Sequence, residues 1–362
     1  MDFALDDTHQ PLRELANDVL VRERDRSRNA PDGDGSGTGS RTWKALAAAG
    51  LLSLAVPERL GGAGLGPLAT AVLLAEIGRH AAPVPALATT AFGVLPVARH
   101  GTPAQQDRLL GEVGSGQVLT AALGEPSAPL TPAPRTSARP DGAELVVTGT
   151  KTDVPAAAAA REILVPVTVE GGGTAVALLR PDAPGVELEP TSTSGGTAWT
   201  ARFAQARGER LGGADALPDL LRCARAGICA LGDGALAGAL ALTTEHVRTR
   251  TQFGRPLAAF QAVAGQIADV HIAARTLHLA VLAACWRLDE RRPAEEDLAV
   301  AALWLTEQAP AALHTCHHLH GGIGLDVTYP LHRHHSLVKD LTRLLGGPGS
   351  AVDARADRLA RR

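Results

Sequence analysis

The sequence predicts an α+β protein of three domains: an N-terminal α-helical domain, a middle β-barrel or β-sandwich domain, and a C-terminal four-helix bundle. Alanine and leucine recur at helical spacing up to about residue 118, where the pattern changes to short β-rich segments. Helical spacing then returns in segments long enough to favour an antiparallel bundle. The predicted domains therefore span residues 1–118, 119–212 and 213–362.

The N-terminal domain is predicted from apolar periodicity and from the turn residues that interrupt it. Apolar side chains share one helical face from Leu12 to Leu20. Residues 29–41 are rich in Gly, Ser and Asp, which predicts a loop. Helix resumes near Thr42, and a proline and four closely spaced small residues then force a turn. The next helix is predicted over residues 67–79.

The middle and C-terminal domains differ in the length of their apolar segments. Residues 144–148 and 163–167 are short, rich in β-branched residues and bounded by turn signals, so they predict strands. The C-terminal segments are several times longer and helical in period. The four predicted bundle helices cover residues 217–250, 257–290, 294–319 and 331–345.

Composition limits the classes of partner. The 362 residues carry a formal net charge of -3, which gives no electrostatic reason to expect nucleic acid or an anionic membrane. The four cysteines have no paired metal spacing and are interpreted as reduced small core residues. The N-terminus lacks the pattern of a signal peptide, and no apolar run approaches the roughly 20 residues needed to span a bilayer. We therefore expect a cytoplasmic protein without nucleic-acid or membrane partners.

Three segments carry a resemblance to a known family. Trp43–Gly66 reads WKALAAAGLLSLAVPERLGGAGLG, Arg250–Asp269 reads RTQFGRPLAAFQAVAGQIAD, and His318–Pro330 reads HLHGGIGLDVTYP. With the helix–β–helix order, they resemble the acyl-CoA dehydrogenase family of flavoproteins. The chain is most similar to bacterial heteromeric members whose subunits lack the catalytic glutamate. The resemblance implies the three-domain fold, FAD as cofactor and an acyl-CoA thioester as substrate.

The resemblance also implies which residues contact FAD. In the family, equivalents of the RTQFG segment and the following glutamine reach the FAD of a neighbouring subunit, and the Gly-Gly turn meets its adenosine half. The residues carried over are Arg250, Gln252, Phe253, Gln261, His318, Gly321 and Gly322.

The chemistry of these residues agrees with that assignment. An arginine offers a rigid fork of donors suited to a pyrophosphate, and paired glycines let a backbone approach a cofactor closely. Two alternatives stand beside it: Arg250 in a surface salt bridge, and Phe253 as an anchor in the core.

The catalytic base of the family is missing from its usual place. The base is a glutamate in a Tyr-Glu-Gly-Thr turn, which here reads LLGGPGS from Leu344, so its expected position is near Leu345 and Gly346. Some members carry the base at the start of the first bundle helix, where this chain has Ala224 and Arg225. The nearest acids there, at positions 219 and 233, are interpreted as surface or interhelical polar residues. No catalytic residue is assigned.

The middle domain departs from the family in two further places. The flavin-contacting loop reads GEPSAPLT from Gly124, and only Glu125-Pro126 matches the family clearly. After Lys151, the usual Trp-Ile-Thr segment is replaced by TDVP and an alanine run. The hydroxyls and indole that border the flavin ring in the family are therefore absent.

Two other motifs are weighed and rejected. Residues 232–237 match a dinucleotide fingerprint, but no strand precedes them, so close helix packing through small residues is the better interpretation. Histidines cluster over residues 314–320 and 332–335, and His314 and His318 lie one helical turn apart. No nearby Cys or carboxylate completes a metal site there, so none is predicted.

Three hypotheses of function remain open. The first is an FAD-dependent acyl-CoA dehydrogenase that acts within a heteromeric complex and passes electrons to an external acceptor. The second is a non-catalytic subunit that completes the FAD site of a homologous catalytic subunit. The third is a family member that performs another flavin reaction, such as oxidation or hydroxylation. The expected assembly is a homodimer, or a heterotetramer with a homologous acyl-CoA dehydrogenase subunit.

Overall fold

The N-terminal part of the chain is helical. A computed structural model describes residues 3–28 and 38–349. Within these residues, the N-terminal helices are α1 (His9–Arg28), α2 (Thr38–Ala48), α3 (Pro67–Arg79), α4 (Leu95–His100), which continues a π-helical segment over Leu87–Val94, and α5 (Pro103–Leu110). The helix predicted over residues 67–79 is confirmed, with a proline in its first turn. Of the loop predicted over residues 29–41, residues 29–37 lie outside the described ranges. Residues 38–41 belong to α2, so that part of the prediction was wrong.

The C-terminal part forms the predicted four-helix bundle. Its helices are α6 (Ala216–Thr249), α7 (Gln261–Asp289), α8 (Glu295–Leu303), α9 (Ala309–His320) and α10 (Leu331–Leu344). A π-helical segment over Trp304–Gln308 joins α8 to α9, so these two helices together form the third predicted segment. The second predicted helix begins four residues later than expected because residues 257–259 form a 3-10 turn after Pro256.

The middle part is a β-barrel. Its strands are β1 (Val118–Ala121), β2 (Ser137–Asp141), β3 (Glu144–Pro155), β4 (Ala160–Val169), β5 (Thr174–Leu179), β6 (Val186–Ser192) and β7 (Thr197–Leu211). The order β4-β2-β3-β7-β5 closes on itself because β5 also pairs with β4. Strand β1 adds to β4, and β6 adds to β7. The predicted strands at residues 144–148 and 163–167 lie in β3 and β4.

Small residues bring α6 against α3. A Cβ atom added at Gly234 would lie 1.8 Å from the carbonyl oxygen of Ala75, and one at Gly78 would lie 2.1 Å from that of Leu231. Close approach of the two helices therefore requires glycine at both positions. The dinucleotide-like segment lies wholly inside α6, and its interpretation as a packing surface is confirmed.

Two bundle helices are more apolar than the sequence interpretation expected. Both α6 and α7 are long and apolar enough to cross a membrane by length and composition alone, which corrects the expectation that no segment approaches that length. Most of the apolar window of α6 is buried inside the bundle, as in the core helix of a globular protein. Most of the corresponding window of α7 is not buried within this chain. The apolar face of α7 is therefore available to another chain.

The cysteines lie in this interior. All four, at positions 223, 229, 285 and 316, are free and buried. Burial raises the pKa of the Cys223 thiol to about 12. The prediction that these cysteines are small core residues is confirmed by their burial.

A buried ion pair ties the loop after β1 to β3. The Nζ atom of Lys151 lies 2.7 Å from Oε1 of Glu125, and both side chains are at most 1% exposed. The backbone N–H groups of Arg135 and Thr136 donate to the same carboxylate, as does the Thr136 hydroxyl. Burial alone would raise the pKa of Glu125, but these hydrogen bonds lower it to about 2. The negative charge of Glu125 is therefore balanced by Lys151 and by hydrogen bonds inside the fold.

Removing the cation from this pair should destabilise the protein strongly. In Lys151→Met the Glu125 carboxylate stays buried without its charged partner, so we expect the free energy of unfolding to fall by about 3–5 kcal/mol in urea titrations. The matched control is Arg180→Met, which breaks an exposed pair with Asp182 and should cost at most about 1 kcal/mol. Equal losses in both variants would contradict the prediction.

The lowered pKa of Glu125 also predicts the direction of a pH effect. Because the folded-state pKa lies below the value of an unfolded glutamate, the pair contributes its stability above about pH 4.3. That contribution should be lost as the pH falls towards the folded-state pKa of about 2. Urea titrations from pH 7 to pH 2.5 should therefore show the wild type losing stability more steeply than Glu125→Gln.

Candidate flavin-binding surface and inner cavity

The segment after α6 forms an exposed arm, defined here as residues 250–256. Strands β8 (Thr251–Gln252) and β9 (Arg255–Pro256) pair as a short hairpin, with Phe253 and Gly254 at its tip. Both tip residues have positive φ angles, 54° and 79°, and the first is a costly conformation for a residue other than glycine. The side chain of Phe253 is 90% exposed. The alternative that this ring anchors the core was therefore wrong.

The polar groups of the arm face outward. Arg250 is exposed and forms no ion pair with any residue in the described ranges, which argues against the surface salt bridge considered as its alternative. Gln252 and Gln261 are also exposed, the second at the start of α7. The Arg255 guanidinium lies 4.0 Å from the ring centroid of Phe260, which itself meets Phe253 edge-on. These contacts support the arm without using its outward donors.

The Gly-Gly turn lies at the same end of the bundle. Gly321 has φ 61° and ψ −139°, a conformation that favours glycine, and it follows the last residue of α9. A Cβ added at Gly321 or Gly322 would meet nothing within 4 Å. His318 is exposed on the last turn of α9. The backbone of the turn is therefore open to an approaching molecule.

A histidine pair connects the arm to the turn. His246 lies four residues before Arg250, and its ring stacks on that of His320 with centroids 4.5 Å apart. His320 directly precedes Gly321. The structure thus brings the seven residues expected to contact FAD to one exposed end of the bundle. An unpaired guanidinium, an exposed ring and open backbone fit a dinucleotide presented from outside this chain.

The three domains enclose a separate inner cavity of about 400 Å³. Its walls come from the N-terminal domain at Phe92, the barrel and its loops, α6 at Ile228, and the end of α10. Gly346 and Gly347 line it, so the expected position of the catalytic glutamate lies on the cavity wall with no carboxylate. The arm contributes nothing to its lining.

The carboxylates that do line the cavity are already engaged. Glu125 is held by Lys151 and three further donors, as described above. Asp153 forms an ion pair with Arg343 of α10, which also lines the cavity. At the other expected position of the base, Arg225 lies 3.4 Å from the carbonyl oxygen of Leu130. Each carboxylate that lines the cavity among the described residues is therefore paired with a cation of this chain.

The acids near the start of α6 have structural partners. Asp219 accepts hydrogen bonds from Arg99 and lies 2.8 Å from Nε2 of His100. Asp233 lies 2.8 Å from Nδ1 of His278 on α7. Both acids are buried, so the interhelical interpretation is confirmed and the surface alternative was wrong.

The sequence interpretation missed the contacts that hold α10 against the barrel. Asp340 accepts hydrogen bonds from the backbone N–H groups of Ser194 and Gly195, and the next turn of α10 carries the Arg343–Asp153 pair. The two residues of that pair are 190 positions apart in the chain. No local sequence pattern identifies such an ion pair, so only the three-dimensional structure reveals it.

The clustered histidines pack against one another. The ring of His335 lies 5.4 Å from that of His314 and 5.0 Å from that of His317. Burial lowers the pKa of His317 and of His335, and the neighbouring imidazoles lower both further. Within the described residues, no group of three or more His, Cys, Asp or Glu side chains could hold a metal ion.

Two family profiles match the chain. Residues 6–117 match the acyl-CoA dehydrogenase N-terminal domain, and residues 212–359 match the acyl-CoA dehydrogenase C-terminal domain. Among curated proteins, the chain is 45% identical over 317 residues to the acyl-CoA dehydrogenase FadE28 of Mycobacterium tuberculosis, covering 86% of this chain and 90% of that protein. It is 34% identical to FadE27 of the same organism over 84% of each chain.

Solved structures agree with these matches. The steroid ACAD Tcur3481-Tcur3483, solved as its G363A variant, superposes with a TM-score of 0.90 at 36% identity over 98% of each chain. The ChsE4-ChsE5 complex from Mycobacterium tuberculosis superposes with a TM-score of 0.90 at 31% identity over the full length of both chains. This chain belongs to the acyl-CoA dehydrogenase family, whose members are FAD-dependent oxidoreductases.

Proposed function

We propose that this chain is the base-lacking subunit of a heteromeric acyl-CoA dehydrogenase and completes an FAD site shared with a homologous subunit. The reaction is α,β-dehydrogenation of an acyl-CoA thioester, with electrons passed to an external acceptor. One contrast carries the proposal. The arm presents Arg250, which has no described counter-ion, and the exposed ring of Phe253, while both described carboxylates that line the chain's own cavity are ion-paired.

The missing base decides between an independent enzyme and a partner subunit. Dehydrogenation requires a base for the proton next to the carbonyl, and bound FAD supplies the acceptor for the hydride from the β-carbon. A positioned base is worth about 10²–10⁴ in rate. The pKa of Glu125 is lowered to about 2 by its hydrogen bonds, although burial opposes this, so it is a poor base. The partner subunit must therefore provide the carboxylate.

The residues of this chain hold and orient the shared cofactor. The Arg250 guanidinium binds the pyrophosphate as a charged fork, and the Phe253 ring covers the dinucleotide beside it. The amides of Gln252 and Gln261 donate to its polar edges. The backbone at Gly321 and Gly322, with His318 beside it, contacts the adenosine half, where any larger side chain would stand between backbone and ligand.

Exposed apolar residues support assembly through the same surface. Phe253, Leu325 and Val327 are 80–90% exposed, and all three lie on the arm or the segment after α9. Ile272 on the first half of α7 is 59% exposed, and the apolar window of that helix is mostly uncovered. Clustered apolar surface of this kind marks a protein interface. A homologous subunit that brings its own FAD to the arm would cover it.

The similar structures support both the assembly and the class of substrate. The ChsE4-ChsE5 structure is described as a complex, and the Tcur3481-Tcur3483 structure as a steroid ACAD. We therefore propose a two-component enzyme for this chain as well, acting on the CoA thioester of a steroid-linked acyl group. A polycyclic acyl group needs a wide site, which two chains can form between them.

Flavin content tests whether the FAD site is shared between this chain and a homologous subunit. The chain should be purified alone and together with a co-expressed homologue that carries the glutamate, and the visible absorbance of each preparation recorded. We expect flavin in the two-chain complex and little in the lone chain. Anaerobic addition of a steroid-linked acyl-CoA should bleach the complex, whereas butyryl-CoA should bleach it weakly. A lone chain that holds flavin and is bleached at a normal rate would refute the proposal.

Substitution of Arg250 tests the arm directly. In the complex, Arg250→Ala removes a charge-assisted contact, so we expect the Kd for FAD to rise about 10–100-fold without loss of thermal stability in the FAD-free protein. Arg250→Lys should fall between, because a lysine keeps the charge but not the fork. The control Arg207→Ala removes an exposed barrel arginine and should leave FAD affinity unchanged. An unchanged Kd in Arg250→Ala would contradict the assignment.

A further inference from the structure

The arm and the Gly-Gly turn belong to separate parts of the sequence, and a ring stack joins them. His246 lies on the last turn of α6, and His320 is the last residue of α9. Their ring centroids are 4.5 Å apart with planes inclined by 19°, within the range of offset stacking. Arg250 follows the first ring by one helical turn, and Gly321 directly follows the second.

Hydrogen bonds fix the orientation and the proton of His320. Its Nδ1 lies 2.8 Å from the carbonyl oxygen of Cys316, so this nitrogen donates its hydrogen there. Its Nε2 lies 3.0 Å from the hydroxyl of Tyr329 and, in this tautomer, accepts the hydroxyl hydrogen. The side chain is buried, with 5% of its surface exposed. Both ring nitrogens are therefore satisfied by a neutral imidazole.

The surroundings of the stack do not favour a charged imidazole. Burial lowers the pKa of His246, and Arg250 lowers it further. Burial also lowers the pKa of His320, and the neighbouring imidazoles of His246 and His317 lower it further. The hydrogen bond to the carbonyl oxygen of Cys316 acts in the opposite direction and raises this pKa. Tyr329 is the remaining titratable contact, and His317 meets His335 of α10. Among the described residues, no carboxylate forms an ion pair with either ring of the stack.

We propose that His246 and His320 are positioning residues for the dinucleotide, whose neutral stack fixes the distance between the arm and the Gly-Gly turn. This inference rests on the proposed function, because it concerns the same surface. The stack touches neither the substrate nor the reacting atoms. It acts through Arg250 on one side and through the backbone of Gly321 on the other.

The stack makes FAD binding sensitive to acid. A folded-state pKa below 6.5 means that the stack is at full strength above that pH and weakens as the pH falls below it. His320 is buried and His246 is partly buried, so protonation places charge in a stack that is poorly solvated and lies beside Arg250. The rings then separate, and the arm and turn lose their common spacing. We therefore expect the Kd of the complex for FAD to rise as the pH falls from 7.5 to 5.5.

Two substitutions of His246 test the aromatic ring and its protonation separately. His246→Ala removes the ring and should raise the Kd for FAD about tenfold at pH 7.5, with kcat at saturating FAD within about twofold of wild type. His246→Phe keeps an aromatic ring that cannot be protonated and that tolerates a protonated His320 across its face. It should bind FAD as wild type at pH 7.5 and lose less affinity at pH 5.5.

A matched control and a flavin-independent measurement complete the test. His9→Ala removes a histidine of α1 that pairs with Asp6, far along the chain from the stack, and should leave both the Kd and its pH profile unchanged. Proton–carbon spectra of the imidazole rings in the FAD-free protein should show His246 and His320 titrating below pH 6.5. The same spectra should show His320 in its Nδ1–H tautomer.

The outcomes distinguish this inference from the proposed function. Wild-type FAD affinity in His246→Ala, or an unaltered acid profile in His246→Phe, would overturn the positioning role while the shared FAD site stands. Ring spectra with either histidine charged at pH 7.5 would do the same. If the wild-type complex bound no FAD at any pH, the proposed function would fail, and this inference would fail with it.

Discussion

The buried ion pair between Glu125 and Lys151 is the interaction on which the interior of this molecule depends. The pair lies at the junction of the loop after β1 and strand β3, and four donors converge on one buried carboxylate. A charge held in this way cannot leave its partners without leaving Lys151 uncompensated in the core, which is costly. The ion pair therefore holds the loop against the barrel and maintains the shape of the cavity. It also means that Glu125 does not serve as a base in that cavity. Asp153, the other described carboxylate of the lining, forms a partly exposed ion pair with Arg343.

The charge of Arg250 on the arm is arranged in the opposite way. Arg250 has no described counter-ion, and the arm that carries it ends in an exposed aromatic ring. Leaving a cation and an apolar side chain in water has no benefit for a monomer, whereas both gain contacts when a second chain with an anionic cofactor covers them. The same end of the bundle carries Gly321 in a conformation suited to glycine. Glu125 is paired within the chain, whereas Arg250 has no ion-pair partner among the described residues, as expected if a second chain covers the arm.

The sequence predicted local features well and contacts between distant segments poorly. The bounds of α3 and the start of α6 follow from helical periodicity and from proline and turn residues, which act over a few positions. The start of α7 was misplaced because a 3-10 turn after Pro256 continues the apolar pattern without continuing the helix. The residues of the arm could be singled out from the sequence because they form one contiguous motif. The Arg343–Asp153 and Glu125–Lys151 pairs and the stacked histidines join segments 26 to 190 residues apart. Charge or ring type alone does not specify such partners.

A division of labour between two chains relaxes a conflict that a single active site imposes. A catalytic carboxylate must remain buried, unpaired and basic, and such a group destabilises the fold that holds it. In this chain the equivalent position near Gly346 carries no ionisable group, and the neighbouring carboxylates form ion pairs. The cavity can then be packed for stability, with Asp340 and Arg343 holding α10 against the barrel. Phe253 of the arm adopts a left-handed backbone conformation, and so do residues that line the cavity, such as Leu130 and Asp153. The carboxylates of this chain thus serve its stability, and in the proposed assembly the partner supplies the base.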